Sequence, residues 1–165
     1  MAQGTEVGAA GTPATNAVSV TRELYELTSG ATRLTYVIDR PYGKVLKQLR
    51  ATLKARGFQI PMEMDVSGRI ADELGVTLKP CLVLYIDCPF LLLEAAIIDA
   101  AAAGALVPLE MVVTEAGSQC VISLVPRTER AVTACLRVQF GQFFGRILLV
   151  LREIGAHREV HEFVV

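Results

Sequence analysis

The sequence predicts an α+β domain: an antiparallel sheet of about five strands with helices on one side. Three observations carry this. Leu34, Tyr36 and Ile38 alternate with Arg33, Thr35, Val37 and Asp39, the period of a strand, with the second set expected on a wetter face. Val45, Leu46, Leu49 and Leu53 recur at helical spacing, with Lys44, Lys47, Arg50 and Lys54 between them. Two β-prone runs, 108–115 and 118–125, meet at Ala116-Gly117, a tight hairpin signal that makes neighbouring strands antiparallel.

The elements follow in order. After the first strand, Pro41 opens a helix near its first turn and Gly57 stops it. Phe58, Ile60, Met62, Met64 and Val66 form the second strand. Pro61 lacks an amide hydrogen, so this strand is expected at an edge or with a bulge. Ser67 is expected to cap a short helix reaching Leu74, which Gly75 ends. Residues 81–87 are almost wholly apolar and predict a central strand covered on both faces. A helix then runs from Cys88-Pro89 to about Ala103. Glu94 and Asp99 are its only charges, so it is expected to be buried nearly all round, by its own domain or by a partner. After the hairpin, a long helix from Arg127 to about Gly155 carries Val132, Leu136, Phe140, Phe143, Ile147, Leu151 and Ile154. Residues 1–28 are expected to be a flexible arm, 29–155 one domain and 156–165 a tail.

Composition excludes several classes. A chain of 165 residues buries roughly two-thirds of its unfolded surface without disulfides or metals. Hydrophobic residues are 52%, charged ones 20%, and mean hydropathy is +0.44. Such a balance implies a large core or apolar surface hidden in an oligomer. The formal net charge of -1, with no tryptophan and 6% aromatics, argues against nucleic-acid binding. Glu94, Asp99 and two prolines interrupt the most apolar stretch, so no membrane span is expected. The N-terminus lacks the charged start and apolar run of a signal peptide. Cys81, Cys88, Cys120 and Cys135 form no CxxC, and reduced thiols in a cytoplasmic protein are expected. No cofactor is implied: neither GxGxxG nor GxxxxGK[ST] occurs.

The run Leu82-Val-Leu-Tyr-Ile-Asp-Cys-Pro89, the Leu/Ala helix, Gly104, and Leu106-Val-Pro-Leu-Glu-Met-Val-Val113 resemble the domain of unknown function 302 family. Gly57-Phe58 before the second strand is similar too. The resemblance covers residues 31–126. It implies a TATA-binding-protein-like half, a β-α-β(4)-α core with two inserted helices. It also implies a homodimer without an established biochemical function. Two departures stand out: Cys88 runs into Pro89 without the family's intervening Asn, and Leu109 stands where a second Cys is common. Fold alone does not imply DNA binding.

Several residues are candidates for function. With Asp87 or Cys88 capping a helix that begins at Pro89, the Cys88 thiol would sit at a helix N-terminus, where unpaired amides stabilise a thiolate. Asp87 opposes that charge, and the plain alternative is a small apolar side chain opening a helix. Asp87, Cys88 and Pro89 are the candidate ligand pocket or helix start. His157 and His161 have i, i+4 spacing, which on a helix would suit a divalent metal; a solvated terminus is the plain reading, and no metal is assigned. Glu63, Asp65, Asp87 and Glu110 are strand carboxylates that would serve acid–base chemistry if they converged; solvated strand faces are the plain alternative. Phe140, Gly141, Phe144, Gly145 and Leu148, with a GxxxG spacing inside a wide apolar stripe, are the candidate interface. The resulting expectation is a homodimeric binding or interaction module with a small-molecule ligand. A Cys88-dependent enzyme or redox-responsive protein, or an accessory subunit docking through its arm, are the alternatives.

Overall fold

The computed structural model describes residues 33–104, 109–125 and 136–159. The expected arm, Cys135, His161 and the first turns of the expected last helix lie outside these. The described order is β1 (Leu34–Ile38), α1 (Tyr42–Ala55), β2 (Gln59–Asp65), α2 (Val66–Leu74), β3 (Cys81–Asp87), α3 (Pro89–Ile98), α4 (Ala100–Ala103), β4 (Leu109–Ala116), β5 (Gln119–Val125), α5 (Arg137–Glu153) and β6 (His157–Arg158). The strands make one sheet in the order β2-β3-β4-β5-β1-β6, and every pairing is antiparallel. The class is α+β, as the hairpin signal implied. The sheet has six strands rather than about five: His157–Arg158, expected in the tail, pairs with Val37 and Tyr36.

Strand period builds the core. Leu82, Leu84 and Ile86 of β3, Leu109, Met111 and Val113 of β4, Cys120, Ile122 and Leu124 of β5, and Leu34, Tyr36 and Ile38 of β1 all point to one face and are buried. Helices α1 and α5 lie on that face, contributing Val45, Leu49 and Leu53, and Phe143, Phe144, Ile147, Leu148 and Leu151. Each such side chain contributes about 1.5–3 kcal/mol on burial.

Both long helices end alike. Gly57, at φ 82, lets its own N–H donate to the Lys54 carbonyl at 3.1 Å and the Phe58 N–H to the Leu53 carbonyl at 3.0 Å. Gly155, also at φ 82, does the same with Arg152 and, through Ala156, with Leu151. This left-handed cap satisfies the last carbonyls and turns the chain back along the sheet. Arg40, after β1, donates from Nη1 to Gln48 and from Nη2 to the Ile154 carbonyl, placing a cation at the end of α5.

Some expectations change. β2 is an edge strand, and between Gln59 and Met62 its register shifts so that Ile60 and Pro61 stand opposite Ile86 alone. Both the edge and the bulge expected from Pro61 are present. The cap of α2 is Asp65 rather than Ser67: its carboxylate accepts from the Gly68 N–H at 2.8 Å and from the Ser67 hydroxyl. An Asp accepts from the first-turn amide more strongly than a neutral hydroxyl does, and this frees Ser67 Oγ to accept from the Cys81 N–H at 3.1 Å. β3 is second from the edge, and Cys81, Val83, Tyr85 and Asp87 are half-buried, because α1 and α5 cover one sheet face only. β1 is buried along its whole length, with Thr35 and Val37 included rather than on a wetter face. The expected helix from Cys88 to Ala103 breaks at Asp99, which is extended at φ -155 and accepts from the Ala101 N–H as a new cap.

Candidate functional site

The β3–α3 junction is built as the sequence implied. Pro89 occupies the first turn, where its missing N–H costs nothing. Cys88 is the N-cap residue, extended at φ -131, and its carbonyl accepts the first helical bond from Leu92 at 2.9 Å. Its thiol makes no capping hydrogen bond and is 2% exposed within the main core. Core burial removes the access a reactive thiol needs. The Cys120 thiol is pushed up to about 11 by burial and then by Glu115. Burial, and secondarily Asp65, also raises Cys81.

Asp87 is the polar anomaly of this junction. Its Oδ1 is enclosed and has no hydrogen-bond partner among the described residues, and loss of solvent raises its carboxyl above the usual range. Pairing fixes its neighbours: Gln59 stands opposite Asp87, and Tyr85 opposite Glu110. Asp87 and Glu110 therefore share the sheet face away from α1, on adjacent strands. Glu63 and Asp65 pair with Leu84 and Leu82 and belong to the other face. There Glu63 holds Arg50, while Asp65, kept below the usual carboxylate range by the Gly68 N–H and the Ser67 hydroxyl, caps α2. The four carboxylates do not converge.

The proposed interface residues divide. Phe144 and Leu148 belong to the chain's own core, and Phe140 packs partly buried with its ring 4.4 Å from that of Phe144. The wide stripe they form is largely used by the sheet and α1. Gly141 and Gly145 face open space: a Cβ on either would meet nothing within 4 Å. Among the described residues, α3 carries a bare apolar surface. Leu91 and Ala95 face inward, while Phe90 is 61% exposed, Leu93 60%, Ile97 77% and Ile98 48%. Because α3 is apolar all round in sequence, its periodicity does not distinguish the side that stays uncovered.

His157 sits on β6 and is exposed, opposite Val37. Among the described residues no group of three His, Cys, Asp or Glu side chains could hold a metal ion.

One feature escaped sequence reasoning. Between the C-terminal half of α1 and the start of β2 lies an open groove of about 430 Å³, lined by Arg50, Lys54, Gly57, Phe58, Gln59 and Ile60. The signal was present, since α1 carries Lys44, Lys47, Arg50 and Lys54 and no acidic residue, but it reads as a solvated face.

Comparison with known proteins places the chain. No curated protein matches it. A crystal structure of an uncharacterised conserved protein of the DUF302 family from Bacillus stearothermophilus superposes with a TM-score of 0.56 at 16% identity, covering 75% of this chain and 95% of that one. At that identity the likeness speaks for the fold. The model of the family described as "Domain of unknown function DUF302" matches residues 34–133, well over half of the sequence. The chain belongs to the DUF302 family.

Proposed function

We propose that this chain is a small-ligand-binding or protein-interaction module that works as a homodimer, and that the face of α3 is its contact surface. The bare stripe of Phe90, Leu93, Ile97 and Ile98 carries the reading. Four large apolar side chains at helical spacing leave a contiguous patch of the kind that marks interaction sites. A two-fold contact sets a surface against its own copy, so charges on it meet like charges. Glu94 is the only charged side chain within α3, so a two-fold contact on this face sets no more than one carboxylate against its own copy. The open glycine face of α5, flanked by Val138 at 64% and Leu149 at 48% exposure, is a second apolar surface for such contact. The reading places the protein in the cytoplasm, in keeping with free thiols at Cys81, Cys88 and Cys120. No helix among the described residues is long and apolar enough to cross a membrane.

Sedimentation equilibrium of the full chain tests the dimer. The parent protein is expected at twice the chain mass, and Leu93→Glu with Ile97→Glu at the chain mass with an unchanged far-UV spectrum, since both sites are exposed. A parent protein that stays monomeric at high micromolar concentration overturns the reading.

A further inference from the structure

We infer that the groove between α1 and β2 binds a small organic anion: a carboxylate or phosphate head on an apolar body. The inference rests on the ligand-binding half of the proposed function and is independent of the dimer. A volume of about 430 Å³ falls in the range of small-molecule sites. Its composition fits one class of ligand. Half-buried Ile60 offers an apolar floor, and beneath it the buried Phe58, held by an edge-to-face contact with Phe143 at 5.5 Å, closes the base of the groove. Two cations, Arg50 and Lys54, stand over that floor one helical turn apart.

Their states differ in a useful way. Arg50 donates from Nε to Glu63 Oε1 at 2.9 Å and from Nη2 to Oε2 at 2.6 Å. This two-point pair fixes the guanidinium plane and takes no part of Nη1, whose N–H groups remain for a third oxygen. Lys54 has no acidic partner among the described residues. A preset Arg beside an uncompensated Lys recognises an anionic head, and the apolar floor at Ile60 accepts what is attached to it.

An extended peptide adding to the sheet edge is the less favoured occupant. The groove borders β2 where Pro61 lacks an N–H and where the bulge breaks the regular ladder that strand addition needs. A compact ligand needs no such ladder.

The test is a two-dimensional amide NMR titration of the full chain with phenyl phosphate, phenylacetate, inorganic phosphate and benzyl alcohol. Saturable shifts of the Gly57, Phe58, Gln59 and Ile60 amides are expected with one or both aromatic anions, and the tighter of the two names the head group. Lys54→Met should weaken that binding about tenfold while altering the ligand-free spectrum only near residue 54. Still amides, equal binding of benzyl alcohol, or an unchanged affinity in Lys54→Met overturns the inference. So does inorganic phosphate shifting Lys44 and Lys47 as strongly as the groove, which would show only diffuse attraction to α1. The Leu93→Glu, Ile97→Glu variant should bind the probes as the parent does, so failure of the dimer and failure of the groove are read separately.

Discussion

The ring of Phe58 meets that of Phe143 edge to face, with centroids 5.5 Å apart and planes at 81°. Phe58 is the first residue past the capping glycine of α1, and Phe143 lies midway along α5. One contact therefore joins the end of α1, the start of the edge strand and the last long helix. Phe143 meets Phe144 in the same manner, at 5.5 Å and 76°.

Phe58→Ala is expected to destabilise the fold by about 3–5 kcal/mol, the range for emptying a buried phenylalanine site. Urea unfolding of Phe58→Ala, Phe143→Leu and the double variant would isolate the ring–ring coupling, expected at about 0.5–1.5 kcal/mol. Strictly additive losses would show that the two rings contribute only through their buried area.

Asp87 should make stability fall as pH rises. Its folded-state carboxyl is raised by burial, so the native protein holds that proton more tightly than the unfolded chain. The resulting stabilisation is full below the ordinary aspartate range and is lost as pH climbs through the raised folded value. Asp87→Asn should therefore melt higher than the parent at neutral pH, with the difference closing in acid. Thermal melts of both proteins across that range check it, and a gap that widens in acid would contradict the assignment.

Native thiol labelling should separate the cysteines. Cys88 is 2% exposed, and Cys120 is 0% exposed with its thiol pushed up to about 11. Iodoacetamide with peptide mapping is expected to leave both unmodified until denaturant is added, while the half-buried Cys81 reacts slowly. Fast native labelling of Cys88 would restore a cysteine-dependent activity.

The sequence by itself determined the α+β class, the antiparallel hairpin, the glycine stops at Gly57, Gly75 and Gly155, the bulged edge at Pro61 and the helix start at Pro89. Each follows from a local constraint: side-chain period, a missing amide hydrogen, or a left-handed φ that glycine adopts without strain. The family, too, was legible in the residues around the β3–α3 junction. Tertiary structure alone decided which apolar residues found cover. Phe144 and Phe90 look equally apolar in the sequence, yet the sheet buries the first and leaves the second bare. It also decided which charges found partners: Arg50 meets Glu63, 13 residues on, while Lys54 meets none among the described residues. Burial and pairing are relations between segments brought together by the fold, and periodicity along one segment holds no information about what will stand opposite it.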